Sequence, residues 1–395
     1  MKRKLVALML GLGLVYPLAA KAEVKDALLQ KLVDKGTLSA EEAEQIESKK
    51  VELPAALKGL SIGGTAYIDY SFGQTGGAAK SNYNRFTLQR AYLNIKDDIT
   101  PWLKVRITPD IKTSSTATGD YTIRMKYLYA DFLTQDLGPL TNNDVRVGLG
   151  HTPFLDFEDS LNGYRMQGAM FQDRRGLITS SDQGVSVLGN LGGKLASEQV
   201  AEVGNSNYAG RYGTYHIGVY NGGGYGSTSE NNQNKSVEGR LTVRPLPDML
   251  PGLQLTYFGV SGKGNANESA TGKAQTWTNN TGFLGYQYKY LTASAEYYSG
   301  KGSFGGDTSS AKNKNGYSFF GKFAAPMYDK IALFARYDSL DPNRDAANDR
   351  INTAIGGVSY RIYGENYLLA AYEKTHDQTK SQDDKKGQLV LQIAF

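Results

Sequence analysis

The chain has 395 residues with 46 glycines, 27 tyrosines and no cysteine, a mean hydropathy of −0.43 and a formal charge of +5. The hydropathy excludes a polytopic helical membrane protein, and the absence of cysteine excludes disulfide frameworks, thiolate metal sites and thiol nucleophiles. With 21% charged residues and abundant glycine and tyrosine, the composition points to a large all-β architecture rather than a disordered or coiled-coil chain.

Lys2, Arg3 and Lys4 precede an apolar run at 5–15, and Ala20, Lys21 and Ala22 form a small-x-small site. This pattern predicts a secretory signal peptide at 1–22, cleaved after Ala22. Its loss removes four cations and lowers the formal charge from +5 to +1, so no basic footprint for nucleic acid is expected.

Residues 23–58 read as a short periplasmic helical or coiled-coil segment. Val24, Ala27, Leu28, Leu32 and Val33 recur at helical spacing, and Lys35 and Gly36 suit a stop. Ser39 with Glu42 makes a capping box for a second helix, whose narrow apolar face is Ala40, Ala43 and Ile46. Pro54 and Gly59 mark the linker into the main domain, 59–395.

From about Ile62 onward, runs of period-two hydrophobicity alternate with connections of two kinds. Tight ones fall at 97–101, 136–143, 245–252, 289–290, 326–329 and 363–366. Long polar ones fall at 73–84, 113–120, 152–184, 222–234, 263–276, 301–315, 341–350 and 377–386. Short on one side and long on the other is the wiring of an outer-membrane barrel. Leu103, Val105 and Ile107 alternate with Lys104, Arg106 and Thr108, and Leu333 and Tyr337 alternate with Phe334, Arg336 and Asp338. A soluble sandwich would share that alternation. The leader, the tyrosines (suited to interfacial girdles) and the closing strand decide for a membrane barrel. In that strand Leu389, Leu391, Ile393 and Phe395 alternate with Gln388, Val390, Gln392 and Ala394. Such an end resembles the C-terminal signature of bacterial outer-membrane barrels, and it gives Phe395 a role in assembly. The expected fold is a transmembrane antiparallel β-barrel of about sixteen strands, a size that leaves an aqueous channel. Segments 152–184 and 191–210 fit the strand count least well.

No chemistry stands out. His151, His216 and His376 are isolated, 222–226 is glycine-rich with no following helix, and Asp341, Asn343 and Asp345 lack the glycine and glutamate of a calcium loop. No enzyme, cofactor or metal is expected. The informative pattern is charge. Lys104, Arg106, Arg124, Lys126, Arg146, Arg240, Arg244, Lys322 and Arg336 are expected to face the lumen and guide anions, against Asp110, Glu238, Glu296 and Asp338. The alternative is that each arginine pairs with a neighbouring acid as a strut. Segment 152–184 is too apolar to hang in solvent (Phe154, Leu155, Phe157, Met166, Met170, Phe171) and is expected to fold inward. Its Asp156, Glu158 and Asp159 with Arg165, Arg174 and Arg175 would then charge a constriction.

The leader, the helical stretch at 24–50, the opening strand at 62–72, the motif Gly148-Leu149-Gly150-His151-Thr152-Pro153-Phe154 and the terminal Phe395 together resemble the phosphate-selective porin O and P family. The resemblance implies a homotrimer of sixteen-stranded barrels in outer-membrane lipid and lipopolysaccharide, an inward third loop, and lumen arginines guiding phosphate or other small anions. Segment 152–184 departs from the phosphate pattern, having no lysine but three acids at 156–159. A channel for passive diffusion of small hydrophilic solutes is therefore the first reading. The second is a structural barrel that sheathes or docks a periplasmic or electron-transfer partner.

Overall fold

The computed structural model describes residues 27–48, 58–77, 81–113, 120–227 and 229–395. The leader at 1–22 and Pro54 lie outside the described residues. The chain divides into two compact units between Lys58 and Gly59.

The first unit holds α1 (Ala27–Asp34) and α2 (Ala40–Ser48). Gly36, at φ 66°, turns the chain after α1 in a region that side chains with a Cβ avoid. The Glu42 N–H then donates to Ser39 Oγ (3.1 Å) and the Ser39 N–H to the Glu42 carboxylate (2.8 Å), so the capping box starts α2.

The second unit is a closed barrel of sixteen antiparallel strands, each paired with its sequence neighbours. They are β1 (Leu60–Thr75), β2 (Ser81–Thr100), β3 (Leu103–Thr113), β4 (Tyr121–Leu133), β5 (Leu140–His151), β6 (Ser181–Leu191), β7 (Gly213–Tyr220) and β8 (Ser236–Val243), followed by β9 (Leu253–Asn267), β10 (Ala274–Tyr288), β11 (Leu291–Lys301), β12 (Asn313–Ala325), β13 (Tyr328–Asp341), β14 (Ile351–Tyr363), β15 (Asn366–Asp377) and β16 (Asp384–Ala394). Closure runs from Thr65↔Ala394 to Gln74↔Lys385 and is completed by reciprocal backbone bonds between Gly64 and Phe395 (3.0 and 3.1 Å). Among the described residues no strand is left with an unpaired edge, the condition for a sheet surrounded by hydrocarbon. The strands reach further into the connections than the hydropathy suggests. Residues 140–143 belong to β5 rather than to a turn, and β9 and β10 extend to Asn267 and back from Ala274.

Period-two alternation places Ile68, Leu128, Val185, Ile217, Leu241, Leu255, Leu333, Leu368 and Leu389 on the outer surface, where they remain exposed. Their neighbours turn inward and are buried. Pro109 sits mid-strand in β3, where it has no N–H to give, and the β3–β4 register shifts at Thr108/Pro109 to accommodate it. The tyrosines divide between the two faces: Tyr257, Tyr297 and Tyr372 point outward, whereas Tyr67, Tyr127, Tyr129, Tyr220 and Tyr298 are buried inside. Girdles account for only part of the tyrosine excess.

Candidate functional site

The lumen is shaped by two segments that enter from opposite rims. Segment 152–180 descends from the long-loop rim through α3 (Leu155–Asn162) and α4 (Phe171–Arg174). α3 ends at Gly163, whose φ of 71° reverses the chain and whose N–H donates to Asp159 O at 2.9 Å. Two glycines prepare the entry. Gly148 takes a φ of 120°, and a Cβ on Gly150 would lie 2.6 Å from Arg146 Cδ.

Hydrophobic burial drives the segment inward. Phe154, Leu155, Phe157 and Leu161 pack on Phe258, Val260, Trp277 and Phe283; Tyr164 and Met166 pack on Phe320, Phe334, Ile355 and Leu369; Phe171 and Leu177 pack on Tyr298 and Leu340. Each fully buried side chain of this size contributes about 1.5–3 kcal/mol. Polar anchors fix the register. Gln172 Nε2 donates to Thr281 (2.8 Å) and Glu296 (2.6 Å), Tyr164 and Ser359 hydroxyls meet at 2.6 Å, and Arg174 pairs with Glu373 at 2.6 Å.

Segment 192–212 enters from the short-turn rim, and an irregular strand count is its one trace in the sequence pattern. It carries α5 (Ser197–Val203) and buries Leu195, Val203 and Ala209. Glu202 holds it to the wall through Tyr288 (2.7 Å) and Lys289 (2.9 Å), and Gln199 donates to Pro247 O (2.9 Å). The two segments meet where Asn205 Nδ2 donates to Ser160 Oγ (3.0 Å) and Tyr208 donates to Asp156 (2.8 Å).

The surroundings of the cations expected in the lumen sort them. Arg146 makes a two-pronged pair with Asp131 (2.7 and 2.9 Å) and touches His151 Nδ1 at 2.8 Å. Arg336 is held by Asp338 at 2.6 Å and donates to Ala169 O, and Arg124 shares the buried Asp110 with Arg90. These are paired struts. Arg240 donates to Pro153 O (2.7 Å) and Arg244 to Gly210 O and Tyr208 O (3.2 and 3.1 Å), so both hold the inward segments. Lys104 stands near the short-turn rim with Asp98 at 3.4 Å. Arg106 and Lys126 differ. Among the described residues neither has a carboxylate within 4.0 Å: Arg106 bonds Asn94, Thr108 and His151, and Lys126 lies over the Tyr92 ring.

The residues expected at a constriction are likewise divided. Arg165 lies between Asp173 (3.4 Å) and Asp159 (4.0 Å), and Arg175 donates to Thr353 (2.6 Å). Burial pushes the Asp159 carboxyl up to about 6, against the pull of Arg165. Glu158 is buried, and burial together with the nearby Glu296 raises its carboxyl well above the usual range. Asp156 accepts from Tyr208 and stands 3.4 Å from His151 Nε2. Hydropathy could not reveal the inward tyrosines. The signal present was their strand parity, since Tyr127 and Tyr129 alternate in step with Asp131.

Among the described residues, two of the polar cavities carry several charges each. One, of about 440 Å³, sets Lys96, Arg106 and Arg165 against Asp159 and Glu365. The other, of about 350 Å³, sets Lys289, Lys322, Lys330 and Arg361 against Asp329.

No family model matches the chain, and no curated sequence matches it either. Solved structures do match in fold. An anion-selective porin from Comamonas acidovorans has a TM-score of 0.55 at 11% identity, covering 85% of this chain and 99% of that one. OmpF of Salmonella typhi, in complex with daunomycin, has a TM-score of 0.57 at 12% identity, with 85% and 97% covered. The trimer form of OmpT, an outer membrane protein of Vibrio cholerae, has a TM-score of 0.53 at 11% identity, with 85% and 99% covered. The fold is the sixteen-stranded porin fold.

Proposed function

We propose that the chain is an outer-membrane porin that passes small hydrophilic solutes by passive diffusion, with a preference for anions. The observation that carries the preference is the make-up of the two polar cavities, where basic side chains outnumber acidic ones. Low-dielectric walls focus such a field and raise the local concentration of anions. Glu296 on the wall and Glu158 on α3, which would oppose it, are both buried. The outward apolar belt and the closed ladder suit a barrel in lipid, with the short turns toward the periplasm and the long loops outside. Export through the leader at 1–22 and assembly as a homotrimer belong to the same reading. It is supported by the fold of the anion-selective and trimeric neighbours. The anions are small ones as a class. The phosphate tuning implied by the family resemblance is not carried over, because 152–184 contains no lysine.

The test is a planar bilayer holding the full protein across a tenfold KCl gradient. The expected reversal potential has the sign of chloride permeation. A potassium sign would remove the anion preference, and the absence of any step conductance would remove the channel.

A further inference from the structure

Segment 152–180 reaches the wall through a small buried polar network on β10 and β11. Gln172 Nε2 donates to Thr281 Oγ1 (2.8 Å) and Glu296 Oε1 (2.6 Å), and Gln172 Oε1 accepts from Asn279 Nδ2 (2.5 Å). Thr281 Oγ1 in turn donates to Asn279 Oδ1 at 2.7 Å. Each amide and hydroxyl of the three residues therefore has a partner. Two carboxyl oxygens beside them do not. Glu296 Oε2 on β11 and Glu158 Oε2 on α3 are both buried without a hydrogen-bond partner, and the two acids stand within hydrogen-bond reach of one another.

The surrounding charges do not neutralise the pair. Arg336 faces both acids but is taken up by Asp338 at 2.6 Å and by Ala169 O. Asp338 itself, and Asp159 next to Glu158 on α3, add negative charge. Among the described residues neither Glu158 nor Glu296 has a basic nitrogen within 4.0 Å. Two bare carboxylates so placed would repel, and α3 would be pushed off the wall. A carboxylic acid facing a carboxylate removes the conflict, because one orphaned oxygen donates and the other accepts. We infer that Glu158 and Glu296 share one proton, and that this proton fastens α3 to the barrel wall until alkaline solution removes it. The upward push of burial and Glu296 on the Glu158 carboxyl has the same sense. A proton held more tightly in the folded arrangement keeps the fastening whole in acid and neutral solution and loses it as pH rises. Gln172 and the apolar contacts remain, so the segment loosens rather than leaves.

The test has two readouts on the full protein in lipid. The first is the infrared band of protonated carboxyl groups at neutral pH. Glu158→Gln, Glu296→Gln and the double variant are each expected to reduce it by one group. No reduction, or a reduction by two in the double variant, would overturn the shared proton. This series stands whether or not the protein conducts. The second is single-channel conductance from about pH 7 to about pH 9, the range into which buried glutamates are moved. Wild-type conductance is expected to rise, whereas Glu158→Gln, whose amide donates to Glu296 at every pH, should hold the lower value throughout. A flat wild-type profile, or a rise that survives in Glu158→Gln, would overturn the fastening role. Should that variant not assemble, the wild-type profile and Glu296→Gln decide between the same outcomes.

Discussion

The Tyr208 hydroxyl donates to the Asp156 carboxylate at 2.8 Å and thereby ties together two segments that enter the barrel from opposite rims. A hydrogen bond to a charged acceptor contributes about 1.5–3 kcal/mol. Tyr208→Phe keeps the ring, and with it the packing on Phe157 at 5.2 Å, while removing the donor. We expect an assembled, heat-modifiable protein with increased open-channel current noise. Noise equal to wild type would mean that Glu202 and Gln199 fix segment 192–212 without help from Tyr208.

Selectivity should follow the unpaired cations and ignore the paired ones. Arg106→Gln with Lys126→Gln is expected to move the reversal potential toward cations, by more at 0.1 M salt than at 1 M. Screening lengths fall from about 10 Å to about 3 Å over that range. Removing the Arg146–Asp131 pair as Arg146→Gln with Asp131→Asn deletes no net charge, so its potential should stay close to wild type. A larger shift from the second pair than from the first would reverse the roles of struts and guides.

The Asp159 carboxyl, pushed up to about 6, gives the channel a pH dependence of defined sign. Below that value the group is protonated and neutral, and above it the group carries a negative charge beside Arg165. Anion preference should therefore be greater at pH 5 than at pH 7.5. Asp159→Asn should flatten the change. A preference that grew with rising pH would exclude Asp159 as the controlling group.

Phe154 is fully buried and stacks on Phe258 with centroids 5.1 Å apart, at the neck where segment 152–180 leaves the wall. Phe154→Ala should cost about 3–5 kcal/mol locally through the cavity it opens. The expected readouts are a lower temperature for the gel shift of the folded form and a higher single-channel conductance. Gln172→Leu, which strips the bonds to Thr281 and Glu296, should act in the same direction. Wild-type conductance in both variants would show that the segment does not limit the pore.

Strand parity was legible because lipid and lumen impose opposite demands on successive residues, so Lys104, Arg106 and Arg336 could be placed inward from pattern alone. What each cation touches was not legible. Arg146 finds Asp131 through β-register, and Arg174 finds Glu373 across 199 residues of chain. Neither distance is written in a local pattern. The apolar run from Phe154 to Phe171 announced a buried segment. By contrast α5 did not announce itself, because its hold on the wall comes from single bonds such as Glu202 to Tyr288 rather than from an apolar face.

The anchors of segment 152–180 have a consequence for the order of assembly. Its partners lie far downstream: Glu296 is 124 residues beyond Gln172, Ser359 is 195 beyond Tyr164, and Gln388 is 221 beyond Gln167. A chain emerging from its N-terminus has made the segment long before it has made β11–β16, the wall that receives most of it. Contacts of such separation slow folding, because distant parts of the chain must be brought together before any stabilisation is gained. Until then Met166 and Phe171 lack the rings that cover them, which makes the unclosed chain its most aggregation-prone form. The last strand to arrive closes the ring and completes the lining in the same step.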